Sequence, residues 1–203
     1  TMNPMLQNSL RAPVTRLITP VCRGLIRLGL SANMMSFIGA SASIISAIYF
    51  FSRGEFVLGT FVTGIFILSD LLDGTMARLS GGGSKWGALL DSTLDRFTDS
   101  GVLGSLAYYL AKENDSLLPV VLVALVAGGL VSYIKARAES LDIPCNGGFA
   151  ERTERLLIAM GAILLHGFGL NFALAIGMWF LACASIYTTL ERLLIVYRAT
   201  AKK

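Results

Sequence analysis

Residues 56–110 read FVLGTFVTGIFILSDLLDGTMARLSGGGSKWGALLDSTLDRFTDSGVLGSLAYYL. Two mostly apolar runs flank the connection Gly81-Gly82-Gly83-Ser84-Lys85. Each is long enough to cross a hydrocarbon layer, since a core about 30 Å thick needs about 20 helical residues. Asp70 and Asp73 stand near the end of the first run, and Asp91, Asp95 and Asp99 stand within the second. An ionised aspartate at the bilayer centre costs about 2.5–3.5 kcal/mol, so five without partners would be prohibitive. The stretch implies membrane helices and, inside them, a reason for the charge.

The rest of the chain supports that reading. Of 203 residues, 54% are hydrophobic and 15% charged, and the mean hydropathy is +0.67. A soluble domain carries about 25% charge, so the surface of this chain must itself be largely apolar. Six segments of membrane-helix character fall at about 34–52, 56–79, 86–111, 117–138, 155–168 and 171–195, divided by glycines or charge clusters as helix ends should be. The expected fold is all-α, a polytopic membrane bundle of six transmembrane helices. Cys22, Cys145 and Cys183 have no CxxC spacing, which favours free thiols over a disulfide framework or a zinc site.

Before the first segment, Leu6, Leu10, Val14, Leu17, Val21, Leu25 and Leu28 recur every three or four residues. They describe an N-terminal interfacial amphipathic helix, interrupted near Pro13 and Pro20. Arginines break any continuous apolar core there, so no removable targeting segment is expected; Thr1, ahead of Met2, reads as a tag remnant and is set aside. The expected division is residues 1–30 as the N-terminal interfacial amphipathic segment and 31–203 as the six-helix transmembrane domain.

Lysine and arginine set the orientation. Fourteen fall at the two ends and the even-numbered connections, only Arg53 and Lys112 fall on the other side, and Arg96 is in mid-span. Both termini are therefore expected to be cytoplasmic in a multi-pass protein of the plasma membrane. The basic balance is a topology signal, and no nucleic-acid partner is expected.

At 1.5 Å per residue, Asp73 and Asp70 lie roughly 9 and 14 Å from the end of the second segment, and Asp91 and Asp95 roughly 8 and 14 Å into the third. The depths match, and the i,i+3 and i,i+4 spacings put each pair on one helix face. Four carboxylates can thus converge on a cavity facing the cytoplasm. Neighbouring carboxylates disfavour one another's ionisation, which divalent cations would relieve. An all-oxygen set suits Mg²⁺ first, then Mn²⁺ or Ca²⁺, and two such ions are a recurring arrangement for chemistry on phosphates. Gly74, Ala77 and Gly87 keep the helix faces thin for a close substrate, and Arg78 is placed to hold a phosphate oxygen. The glycine run 81–83 serves equally as a plain connector. An Asp99–Arg96 contact at i,i+3 would satisfy both of those charges. His166, near the opposite face, reads as interfacial rather than catalytic. Small residues four apart, such as Gly39, Ser43 and Ala47, could pack helices within or between protomers.

The pattern Asp70-x2-Asp73-Gly74-x2-Ala77-Arg78-x8-Gly87-x3-Asp91-x3-Asp95 resembles the signature of the CDP-alcohol phosphotransferase family at every fixed position. The resemblance implies transfer of a phosphatidyl group from CDP-diacylglycerol to an alcohol with release of CMP. It implies that Asp70, Asp73 and Asp91 ligate two metal ions, that Asp95 both touches a metal and acts as general base, and that Gly74, Ala77, Arg78 and Gly87 meet the CDP-lipid. A homodimer is expected on the same ground.

The acceptor depends on a second group of charges. Lys135, Arg137, Arg152 and Arg155 bracket the fourth connection, and Arg192 sits inside the last segment. Positive-inside bias alone could explain the first four; together with Arg192 they could form a pocket for a phosphorylated acceptor. The stretches 132–140 and 147–155 resemble the corresponding region of actinobacterial phosphatidylinositol phosphate synthases, which implies inositol 1-phosphate as acceptor. Glycerol 3-phosphate, as in phosphatidylglycerol phosphate synthases, is the alternative. A cation transporter and a non-catalytic CDP-lipid scaffold are the other classes that buried aspartates allow. The first segment opens on Ser31-Ala32-Asn33 with Ser36 beyond, where relatives often have Ser/Thr-Pro-Asn and Thr.

Overall fold

A computed structural model describes residues 18–145, 148 and 151–201, and every regular element among them is a helix. Residues 18–27 form α1. There follow α2 (Ala32–Phe51), α3 (Phe56–Ile67), α4 (Asp70–Leu79), α5 (Lys85–Lys112), α6 (Leu118–Glu139), α7 (Arg152–Gly167) and α8 (Asn171–Thr200). The all-α expectation holds, and the helix ends fall close to those read from the sequence. The run 56–79 departs from expectation in being two helices, α3 and α4, with a turn at Leu68 and Ser69. Of the amphipathic N-terminal pattern, residues 1–17 lie outside the described residues, and α1 runs through Pro20 rather than breaking there.

Ala32–Phe51, Phe56–Leu79, Leu118–Glu139 and Asn171–Thr200 are long and apolar enough to cross a membrane. Only 22–33% of each is buried, so Ile45, Leu58, Phe61, Ile65, Phe172, Ile176 and Trp179 stay exposed. Apolar surface on that scale fits lipid rather than water. The other two expected spans differ in kind. The 28-residue α5 carries Asp91, Asp95, Arg96 and Asp99, and α7, with 16 residues, is about 24 Å long.

The chain divides into two compact units, the first taking residues up to Ile45 with Val62–Thr98, the second Ser46–Phe61 with everything from Asp99 onward. In the first, the buried Cys22 thiol donates to the Leu72 carbonyl at 3.6 Å and docks α1 on α4. Burial holds that thiol above its usual pKa. In the second, α8 packs chiefly on α6 and next on α7. Buried Val120, Val121, Ala124, Ala127 and Val131 form a three-and-four-residue stripe on α6, and Leu174, Met178, Leu181 and Ala182 are the buried apolar residues in the first half of α8. A methyl group at Gly177 would overlap that of Ala162, so this glycine lets α8 approach α7 closely. His166 stacks at a tilt on Phe56, ring centroids 5.2 Å apart. All three cysteines are free.

Candidate functional site

The site is built in the first unit, where α4 and α5 descend from the two sides of the glycine-rich turn. That turn closes with positive φ at Gly81 (97°) and Gly82 (109°), a conformation open to glycine at no steric cost. Asp70, Asp91 and Asp95 each present a carboxylate oxygen within 4.8 Å of the others. Asp70 and Asp91 are exposed and Asp95 is half-buried. Beside them lies a cavity of about 550 Å³ lined by Asp70, Asp73, Asp91, Gly74, Ala77 and Gly87, with Ser31, Asn33 and Ser36 of the α2 end.

Asp73 is the member that geometry sets apart. It is buried, and the Ser36 hydroxyl donates to its Oδ2 at 2.5 Å. Four converging carboxylates were the expectation; three cluster most tightly, and the fourth lines the same cavity while held by α2. The i,i+3 offset swings Asp73 about 60° around α4 from Asp70, which suffices to hand it to the neighbouring helix. Both aspartates occupy the first turn of α4, where the positive end of the helix dipole favours negative charge.

The donor set fits a hard divalent cation. An ion at about 2.0–2.1 Å from two oxygens holds them within about 4.2 Å of each other, so oxygens already within 4.8 Å need little movement to share one. Among the described residues, no histidine or cysteine joins the cluster. That composition suits Mg²⁺ or Mn²⁺ rather than zinc.

The two glycines differ in what they protect. A methyl group at Gly87 would lie 2.9 Å from Asn33 Oδ1 and 3.2 Å from Ser84 Oγ, whereas one at Gly74 meets only Arg78 Nη1 at 3.7 Å. Gly87 is thus required by protein packing around Asn33, and Gly74 leaves room on the cavity face. Gly87→Ala is expected to lower the rate of any reaction in this cavity by about tenfold or more, because small displacements of reacting groups are costly. Adding Asn33→Ala should restore part of the loss in Gly87→Ala and none in Gly74→Ala, read as initial rates of the two single and two double variants.

Aspartates on two antiparallel helices beside a thin-walled cavity are the arrangement that the signature resemblance leads one to expect, and residues 30–190 match the CDP-alcohol phosphatidyltransferase family. The chain belongs to that family. It is an enzyme of phospholipid synthesis, a CDP-diacylglycerol-dependent phosphatidyltransferase whose family uses divalent metals. Similar proteins include phosphatidylinositol phosphate synthase of Streptomyces avermitilis, 42% identical over 98% of this chain and 85% of the relative. The Mycobacterium tuberculosis H37Rv synthase is 40% identical over 92% and 88%. The crystal structure of the Mycobacterium tuberculosis enzyme with CDP-DAG bound superposes with a TM-score of 0.86 at 40% identity, over 90% of this chain and 94% of that one. A second, in complex with manganese and citrate, gives 0.83 at 40% identity over 88% of each.

The expected second cluster of charges is distributed unevenly within the other unit of this phosphatidyltransferase. Arg155 and Arg192 are 6% and 4% exposed, and both reach α6. Arg155 Nη2 lies 3.4 Å from the Gly128 carbonyl and from Ser132 Oγ, and Arg192 Nη1 donates to the Val131 carbonyl at 2.7 Å. Arg137 is exposed and donates to Ser140 Oγ at 3.2 Å, while Lys135 is half-buried. Arg152 pairs with Asp99 at 3.4 Å. Arg96 pairs instead with Asp95 at 3.4 Å, so the expected Asp99–Arg96 contact is replaced by two different ion pairs; the start of α7 supplies Asp99 with a cation from outside its own helix. Arg78 is exposed and donates to Thr75 Oγ1 at 2.8 Å. Gly147, Phe149 and Ala150, part of the second resemblance, lie outside the described residues.

Two cavity residues were not among the sequence candidates. Ser36 holds Asp73, and Asn33 packs on Gly87. Their signal is polarity at the N-terminal end of an apolar segment, without a partner in the local sequence.

Proposed function

We propose that this phosphatidyltransferase transfers the phosphatidyl group of CDP-diacylglycerol to inositol 1-phosphate, giving phosphatidylinositol phosphate and CMP. The reading is carried by the Asp70, Asp91 and Asp95 cluster beside a cavity with glycine-thin walls. It is supported by relatives of about 40% identity over nearly the whole chain that bear this activity in their names.

Asp70, Asp73, Asp91 and Asp95 would hold two divalent ions, Mg²⁺ or Mn²⁺. Bound there, the ions would neutralise charge on the attacking and leaving oxygens. The Asp95 carboxylate takes the proton of an acceptor hydroxyl, and the hydroxyl oxygen attacks the phosphorus that bears diacylglycerol. The bond from that phosphorus to the bridging oxygen breaks, and CMP leaves with the electron pair. Gly74 and Ala77 admit the pyrophosphate close to α4, Gly87 keeps Asn33 in place at the cavity wall, and Arg78 stands in the last turn of α4 to meet the pyrophosphate oxygens.

Arg155 and Arg192, with Lys135, Arg137 and Arg152 around them, are the acceptor's phosphate site. A guanidinium presents a planar fork of donors that matches the oxygens of a phosphate. Ser185 and Thr188 lie seven and four residues before Arg192, on one face of α8. Their hydroxyls are buried without a hydrogen-bond partner among the described residues, which favours an acceptor rich in hydroxyls over glycerol 3-phosphate. In the membrane, α5 and α7 complete six spans, and residues 1–30 lie at the interface. Both termini and the active site face the cytoplasm at the plasma membrane, and the protein is a homodimer.

The test is CMP release by purified protein with CDP-diacylglycerol, Mg²⁺ and one acceptor at a time. Release is expected with inositol 1-phosphate and to fall at least about tenfold with glycerol 3-phosphate, serine or unphosphorylated inositol. Equal release with unphosphorylated inositol would contradict the phosphate site.

A further inference from the structure

Residues 56–79 are long and apolar enough on average for a single span, yet α3 stops at Ile67 and α4 starts at Asp70. Ser69 keeps helical angles (φ −62°, ψ −19°), so the interruption is one of the hydrogen-bond ladder; such interruptions have identifiable causes, most often proline or glycine, and neither stands at Leu68 or Ser69. The group that departs from helical order is the Phe66 carbonyl. It accepts the Ser69 backbone N–H at 3.1 Å, a three-residue closure, and also the Ser69 hydroxyl at 2.6 Å. Ser69 is buried. Against it lies Gly39 of α2. A methyl group there would overlap Ser69 Oγ, lie 3.2 Å from Ser69 Cβ and reach 3.4 Å from the Phe66 carbonyl.

Gly39 shares a face of α2 with Ser36 and Ser43, three residues before and four after. Ser36 donates to Asp73, and the Ser43 hydroxyl is 3.4 Å from that of Thr98, one turn past Asp95 on α5. A single face of α2 therefore touches both helices that carry the acidic cluster, and its bare point, Gly39, sits at the break immediately before Asp70.

We infer that the Gly39–Ser69 contact is a positioning device for the metal site. The α2 backbone at Gly39 seats the Ser69 hydroxyl on the Phe66 carbonyl, which interrupts the helical ladder after Ile67 and fixes how Asp70 opens α4 beside Asp91 and Asp95. Gly39 and Ser69 touch neither metal nor substrate; they act through Asp70. The inference rests on the metal reading of the acidic cluster.

The test uses the full chain purified in detergent, with Mn²⁺ dissociation followed by the electron paramagnetic resonance of free Mn²⁺, and amide exchange of residues 69–73 measured in chelator. Gly39→Ala is expected to weaken Mn²⁺ about tenfold or more and to speed that exchange. Ser69→Ala, which adds no bulk and only removes the hydroxyl from Phe66, should weaken Mn²⁺ several-fold. It keeps the inference testable if Gly39→Ala fails to fold. The double variant, freed of the overlap, should return to the level of Ser69→Ala alone, a non-additivity that generic destabilisation does not produce. Wild-type affinity in Ser69→Ala or Gly39→Ala, or a double variant no better than Gly39→Ala, overturns the inference and leaves the metal reading intact. Wild-type protein that binds no Mn²⁺ overturns both.

Discussion

Asp95→Asn is expected to eliminate turnover while leaving CDP-diacylglycerol bound. Asparagine keeps the size of the side chain and loses both the negative charge and the ability to take a proton. General-base catalysis contributes about 10²–10⁴-fold, and the loss of a carboxylate from a cluster whose oxygens lie within 4.8 Å adds to it. Asp95 is the half-buried member and lies deepest along α5, whereas the cavity lining runs through Asp70, Asp73 and Asp91. Lipid-nucleotide binding should therefore survive. Acceptor-dependent CMP release and retention of labelled CDP-diacylglycerol, measured on one preparation, separate the two effects. Full turnover by the variant would remove Asp95 from the role of base.

Chelation is expected to have an effect as large. Two carboxylate charges 4.8 Å apart repel by about 1 kcal/mol in bulk water and about 3.5 kcal/mol at an effective dielectric of about 20. The cluster is tolerable while water fills the cavity. It becomes costly once a lipid pyrophosphate, itself anionic, displaces that water. The demand for a divalent ion is thus greatest when substrate is bound, and EDTA should abolish CMP release, with Mg²⁺ or Mn²⁺ restoring it. Turnover that persists in excess chelator would contradict the metal reading.

Much of the fold was legible because local rules place its boundaries. Arg53-Gly54-Glu55, the run 81–85 and Lys112 to Asp115 lie at or between helix ends in the structure, each marked by glycine or charge. Asp70, Asp91 and Asp95 were legible for a related reason: the cost of charge in an apolar span makes such residues conspicuous, and helical spacing fixes their common depth.

What escaped was long-range. The break after Ile67 follows from Gly39 seating Ser69 thirty residues away, which no periodicity in 56–79 records. Asp73 turns to Ser36, and Asp99 finds Arg152 rather than Arg96. In each case the nearer partner in sequence lost to one supplied by another helix. The basic residues were assigned as one group, but burial separates Arg155 and Arg192 from exposed Arg137, and burial is a property of packing.

In the proposed function, this carboxylate cluster passes a phosphatidyl group to an inositol that already carries phosphate. The most direct measurement supplies inositol 1-phosphate with a labelled phosphate, together with CDP-diacylglycerol and Mg²⁺, and follows the label between aqueous and organic phases. Label is expected to enter the lipid phase in equal amount to the CMP released. CMP released while the label stays in water would contradict it.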